Sequence, residues 1–225
     1  MIAITNLRKH YGKKEVLKGI SLEFEPGNVY GVVGKNGAGK TTLFNCIAGL
    51  DRYGGDISSP YDELKNHLGF LETNPQFMSL ITGREYLKLY CIARGIKDED
   101  FDSRNIFALP LGEYATTYST GMKKKLALMA VLLQKNEVFI LDEPFNGVDI
   151  QSNIMISAII DELRRRGKTV IISSHIFSTL SDTCDKIFLM KDGVISKRAT
   201  KEQYAALEDE MKNDIVGGEV ERLML

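Results

Sequence analysis

Eight consecutive residues, Gly34-Lys35-Asn36-Gly37-Ala38-Gly39-Lys40-Thr41, place glycines, a lysine and a hydroxyl at the spacing of a phosphate-binding loop. Glycines let the backbone curl so that successive N–H groups converge on phosphate oxygens, and a helix starting there offers its positive end. Lys40 has the reach for the β- and γ-phosphates, and Thr41 can give its hydroxyl to Mg2+. A second segment, Val138-Phe139-Ile140-Leu141-Asp142-Glu143, is an apolar run that delivers two carboxylates at its end. Asp142 suits Mg2+, directly or through water, and Glu143 suits a general base that polarises an attacking water. Together the two segments point to hydrolysis of a nucleoside triphosphate.

Such side chains need a rigid frame. Short β-branched runs alternate with longer helical patterns, which predicts an α/β fold built on a largely parallel sheet. Strands are expected at Ile2–Ile4, Ile20–Phe24, Val29–Val33, Leu68–Leu71, Val138–Leu141, Thr169–Ser173 and Lys186–Met190. Helices are expected to start at Lys40, Gly83, Thr120, Gln151 and Ile176. Leu43, Ile47 and Leu50 mark an apolar helix face behind the loop, and Ile156, Ile159, Ile160 and Leu163 mark another. A turn at Tyr11-Gly12 divides the β-rich opening stretch, and Lys191-Asp192-Gly193-Val194 reads as a hairpin between two late strands.

The chain has 225 residues, 44% apolar and 26% charged, a balance suited to a globular protein with an ample core. With 29 basic against 30 acidic residues there is no global field to attract DNA, RNA or anionic lipid, so no nucleic-acid partner is expected. The longest apolar run, Leu126 to Leu133, is far short of the ~20 residues of a membrane-crossing helix. Met1-Ile-Ala-Ile-Thr-Asn lacks the features of a signal peptide. Cys46, Cys91 and Cys184 show neither metal nor redox spacing and read as reduced cytosolic thiols.

Between the two carboxylate- and phosphate-directed segments lies Tyr118-Ser119-Thr120-Gly121-Met122-Lys123. It resembles the signature sequence of ATP-binding cassette (ABC) ATPases, and its Gly-Met-Lys form is similar to that of bacterial export-type cassettes. Asn146-Gly147-Val148-Asp149 is similar to the family's D-loop, His175 to its switch histidine, and Tyr11 to the aromatic that stacks on adenine. The resemblance spans residues 1 to about 197. It implies a P-loop NTPase fold: a parallel-sheet core, an N-terminal antiparallel β subdomain and an inserted helical subdomain.

It also implies a two-chain site, in which ATP lies between head-to-tail cassettes. Gly34, Asn36, Gly37, Ala38, Gly39, Lys40, Thr41 and Thr42 of one chain would surround the phosphates, with Asp142 and Thr41 toward Mg2+ and Tyr11 under the base. Ser119, Gly121 and Asp149 of the other chain would complete the site. Glu143 would orient water and His175 would hydrogen-bond the γ-phosphate. The family's Mg2+-sensing glutamine is missing: Leu71-Glu72-Thr73-Asn74-Pro75-Gln76 puts Thr73 in that register, with Glu72 and Gln76 as alternatives through a shifted loop.

The expected organisation is one ATPase unit over 1–197, with core segments 1–75 and 134–197 and a predominantly helical insertion at about 76–133. A tail over 198–225 carries a solvated helix around Lys201–Lys212, then Gly217-Gly218. The implied partners are a second ATPase subunit, most simply an identical one, and a separate transmembrane permease, making the chain cytoplasmic and peripheral on the inner membrane face. Phe77, Met78 and Leu80 could form the apolar permease contact. A soluble, non-transport cassette ATPase, of iron–sulfur assembly, translation or DNA work, is the alternative class.

Overall fold

The computed structural model describes residues 1–97 and 100–216, with side chains as far as 212. Two sheets share the work. The smaller is antiparallel: β1 (Ile2–Tyr11) pairs with β2 (Lys14–Phe24) across a turn where Gly12 takes φ +58, and with β4 (Gly54–Ser58) on its other edge. The larger has the order β5 (Leu68–Leu71), β6 (Val138–Asp142), β7 (Thr169–Ser174), β3 (Val29–Val33), β8 (Lys186–Lys191), β9 (Val194–Thr200). All its pairings are parallel except the β8–β9 hairpin.

The central strands are apolar along their whole length because both faces are covered. Tyr30, Val32, Val138, Ile140 and Ile171 point to one face, where β1, β2 and α1 (Lys40–Ile47) close a core around Phe24, Leu43 and Phe44. Val29, Val33, Phe139, Leu141, Val170 and Ile172 point to the other. There they meet Ile156 and Ile160 of α4 (Ile150–Arg165), Leu180 of α5 (Phe177–Thr183), and Ala127, Leu128 and Val131 of α3 (Thr120–Leu133). Period-two alternation thus sorts each strand's residues between two cores.

A third cluster joins Tyr86, Leu87 and Cys91 of α2 (Gly83–Ala93) to Leu126, Met129, Ala130 and Leu133 of α3. α3 therefore belongs to two apolar clusters at once. Thr82 caps α2 in a reciprocal box with Glu85.

Several expectations change. The 76–133 segment is less helical than its pattern suggested: apart from α2, α3 and a short turn at Ala115–Thr117, its described residues are irregular, broken by Gly95, Pro110 and Gly112. β1 and β2 extend well beyond the apolar ends that mark them in sequence, and β4 was not expected at all, since Gly-Gly-Asp carries no apolar alternation. Leu50 lies past the end of α1 and is exposed. α4 and α5 begin one residue away from the expected positions, at Ile150 and Phe177. β9 runs to Thr200, across the 197/198 division. The tail helix α6 (Tyr204–Val216) is docked rather than solvated, burying Tyr204 and Leu207 in the α3–α5 core while the Tyr204 hydroxyl donates to the Cys184 carbonyl at 3.1 Å. Gly217-Gly218 lies outside the described residues.

Candidate functional site

Residues 34–39 turn between the end of β3 and the start of α1. Their glycines are required locally. A Cβ on Gly34 would lie 2.3 Å from the Met190 carbonyl oxygen, and Gly39 takes φ +108. The β8–β9 turn braces the loop, with the Gly193 N–H donating to the Ala38 carbonyl at 3.1 Å. Lys40, at the first position of α1, is buried and donates from Nζ to the Gly34 carbonyl at 2.7 Å. Its Nζ stands 3.8 Å from Glu143 Oε1. Asn36 and Gly37 are exposed at the loop tip, and Ala38 is buried.

β6, lying two strands from β3, brings Asp142 to the same end of the sheet. Asp142 is 1% exposed, and hydroxyls surround it. Thr41 Oγ1 donates to its Oδ2 at 2.7 Å, Thr73 Oγ1 donates to the same oxygen at 2.6 Å, and Ser173 Oγ donates to Oδ1. Of the three alternatives after β5, Thr73 is the one joined to Asp142; Glu72 and Gln76 are exposed, and Gln76 donates to the Asn74 carbonyl.

Glu143 follows with φ +52, a left-handed conformation uncommon outside glycine, and its side chain is nearly buried. Its N–H donates to Ser173 Oγ at 2.9 Å, its carbonyl accepts from Lys124 Nζ at 2.7 Å, and its Oε2 lies 2.9 Å from His175 Nδ1. Carboxylate, histidine and lysine thus converge beside the loop. His175 itself is half-exposed.

Ser119 and Gly121 sit at the start of α3. Ser119 is exposed and caps the helix, its Oγ accepting from the Met122 N–H at 3.2 Å. Gly121 packs against the 143–149 loop so closely that a Cβ there would meet the Gly147 carbonyl oxygen at 2.8 Å. Asp149 caps α4 through the Ser152 N–H at 2.9 Å and pairs with Lys125 at 2.9 Å. That hydrogen bond from Lys125, followed by those from Ser152, holds the Asp149 carboxyl well below the usual range.

Tyr11 lies beside α1. Its hydroxyl donates to Asp51 Oδ2, Thr42 also reaches it, and Lys9 Nζ covers one ring face at 4.7 Å from the centroid. The Tyr11 hydrogen bond, then that of Lys9, lowers the Asp51 carboxyl from its ordinary value. Burial pushes the Cys46 thiol up to about 11, which leaves it an unreactive core side chain.

The structure therefore gathers Lys40, Thr41, Thr73, Asp142, Glu143 and His175 into one cluster, with Ser119, Gly121 and Asp149 on an adjoining edge. Two residues that hold this cluster together, Ser173 and Lys124, carried no signal in the sequence. Ser173 reads as an ordinary strand residue and Lys124 as one of three consecutive lysines on a helix.

A parallel sheet with a glycine-rich loop at the end of one strand, and a buried carboxylate facing it from another, defines a P-loop nucleotide-binding protein. The more specific assignment comes from similarity. The family model described as "ABC transporter" matches residues 17–146. An uncharacterized ABC transporter ATP-binding protein of Methanocaldococcus jannaschii is 31% identical over 203 residues, covering 85% of this chain and 74% of the relative. The linearmycin resistance ATP-binding protein of Bacillus subtilis is 31% identical (89% and 70% covered), as is the bacitracin transport ATP-binding protein of Enterococcus faecalis (86% and 67%). Among solved structures, a cassette of a Clostridium perfringens ABC transporter complex is 25% identical and matches with a TM-score of 0.73, covering 99% of this chain and 98% of that one. A dimeric cassette in a post-hydrolysis state bound to ADP and Pi shares the fold with a TM-score of 0.78 at 20% identity, covering 89% and 99%. The chain belongs to the ABC transporter family, as an ATP-binding, ATP-hydrolysing subunit.

Proposed function

We propose that this subunit works as a head-to-tail pair of identical chains driving a separate membrane permease, in the export direction. The observation that carries the reading is the convergence of Lys40, Thr41, Asp142, Glu143 and His175 at one end of the sheet. ATP would lie along residues 34–42 with its base against the open face of Tyr11. Ser119 and Gly121 of the second chain would cover the γ-phosphate, and Asp149 would line the contact between the chains.

The donor set fits Mg2+, a hard cation that takes oxygen ligands and binds triphosphate sites through one or two carboxylates plus phosphates and water. Asp142 with the Thr41 and Thr73 hydroxyls supplies such oxygens. When bound, the cation neutralises phosphate charge. Glu143 would take the proton of the attacking water, and His175, 2.9 Å from the Glu143 carboxylate, would steady it and hydrogen-bond the γ-phosphate.

For the permease contact, Met78 and Leu80 are 57% and 73% exposed, whereas Phe77 packs into the lobe. The lobe over about 76–133 is the part of the 1–197 unit that would meet the permease, which would hold the chain at the inner face of the membrane. No helix among the described residues is long and apolar enough to cross a membrane. Export draws support from the resistance and transport names of two relatives.

Replacing Glu143 with glutamine removes the base and keeps the shape. Turnover should fall by about 10²–10⁴ while ATP affinity stays unchanged. Purified from detergent-solubilised membranes, the chain should bring a membrane-spanning polypeptide with it. Near-normal hydrolysis by Glu143→Gln sinks the base assignment, and recovery of only ribosomal or iron–sulfur assembly proteins sinks the transporter reading.

A further inference from the structure

Lys124 is 3% exposed, yet it carries an ammonium into the interior. Its Nζ donates to two backbone carbonyls, Glu143 at 2.7 Å and Asn146 at 3.0 Å. Burial works against its charge, lowering its pKa, and the neighbouring Glu143 and Asp142 carboxylates partly offset this. A lysine sealed in this way is a poor choice for packing alone, because an apolar side chain of the same volume avoids the desolvation penalty. What the ammonium does supply is a fixed pair of donors under the loop that follows β6.

That loop needs them. Glu143 sits at φ +52, where side chains other than glycine are strained. Such a conformation persists only when its surroundings over-determine it, and here both flanking peptides are gripped. The Glu143 N–H is held by Ser173 Oγ at 2.9 Å, and its carbonyl by Lys124. With both peptides fixed, the side chain is aimed between His175 and Lys40. The neighbouring residues of α3 grip the same loop: Gly121 abuts Gly147, and Lys125 binds Asp149 and Ser152 at 2.9 and 3.0 Å. The first turns of α3 and the 143–149 loop therefore form one body, with Lys124 at its centre.

We propose that Lys124 is a positioning residue for hydrolysis, which holds Glu143 in its left-handed backbone conformation and so ties the aim of the general base to the helix bearing Ser119 and Gly121. This rests on the reading of Glu143 as general base. Buried and bonded to two backbone carbonyls, Lys124 would act through Glu143 rather than on the nucleotide.

The test is Lys124→Met, which is one atom shorter and close in volume but removes the donors. The rate constant kcat for ATP hydrolysis should fall about 10- to 100-fold, the loss of a charged hydrogen bond expressed in rate. The Kd for ATP, set by the 34–42 loop, should stay within about twofold. In the Glu143→Gln background, adding Lys124→Met should cause no further loss, because the group it aims is already gone. Should the methionine variant not fold, Lys124→Gln, which keeps an N–H donor, is measured instead: it should retain more of kcat than a donor-free variant, leave Kd unchanged and add no loss to Glu143→Gln, and a raised Kd or an additive loss overturns the proposal. An unchanged kcat overturns the proposal, as does a matching rise in Kd or an additive loss in the double variant. Glu143→Gln separates the two readings. If that variant is inactive while Lys124→Met is not, only the positioning role fails; if it is active, the base assignment fails first.

Discussion

Replacing Ser173 with alanine should be far more damaging than the removal of one oxygen suggests. The Ser173 hydroxyl is buried between the two carboxylate residues, donating to Asp142 Oδ1 and accepting the Glu143 N–H at 2.9 Å. A hydrogen bond to a charged group contributes about 1.5–3 kcal/mol, and a buried N–H left without a partner costs about 1–3 kcal/mol. Asp142 retains the Thr41 and Thr73 hydroxyls, which places the first contribution at its lower end. The Glu143 N–H has no such reserve. Together these give a loss of about 3 kcal/mol, a substantial share of the roughly 5–15 kcal/mol that stabilises a typical domain. For a chain of this length that corresponds to about 6–12 °C in Tm. Urea unfolding without nucleotide is the appropriate assay, because ligand binding would mask part of the difference. Ser174→Ala is the control on the same strand. Among the described residues its hydroxyl accepts just the Ile176 N–H, at 3.0 Å, and its loss should cost about 1 kcal/mol. If Ser173→Ala and Ser174→Ala destabilise equally, or if Ser173→Ala costs less than about 1 kcal/mol, the account of Ser173 as the shared anchor of Asp142 and Glu143 is wrong.

Among Glu72, Thr73 and Gln76, only Thr73→Val should change the Mg2+ dependence of ATP hydrolysis, raising the Mg2+ concentration needed for half-maximal rate about 3- to 10-fold, in keeping with one hydrogen bond among three. Equal effects from Glu72→Ala or Gln76→Ala in a Mg2+ titration would contradict it. Asp149, with its carboxyl held below the usual range by Lys125 and Ser152, should contribute stability fully above its unfolded pKa of about 3.9 and lose that contribution as pH falls through its lower folded value. The Tm difference between the parent and Asp149→Asn should therefore be constant from neutral pH down to about 5 and shrink in more acidic buffers; a difference that grows with acid would reverse the sign of the linkage.

Much of the frame was legible because its signals are local. The run from Val138 to Asp142 is apolar throughout since both faces of β6 are covered, and its change to carboxylates marks where the strand leaves the core. Ser119 and Asp149 stand at helix starts and cap them, a local role that their residue types announce. What stayed hidden depends on partners distant in sequence. β4 is polar and forms because β1 offers it an edge. Tyr204 and Leu207 look like scattered apolar residues in a charged helix until the core beside α5 receives them. Lys124, in a run of three lysines, is indistinguishable by type from its half-buried neighbour Lys123; the loop folded beneath it makes it an interior cation.

The double membership of α3 has a mechanical consequence. One set of its side chains is anchored against the main sheet and another against α2, so α3 cannot tilt with the lobe without opening a packed interface. α2, packed on the same helix, is held with it, and the freedom left to the lobe lies in the stretches without regular structure, residues 72–82 and the described part of 94–114. The exposed Met78 and Leu80 lie in the first of these stretches, which also carries the Thr73 hydroxyl bonded to Asp142.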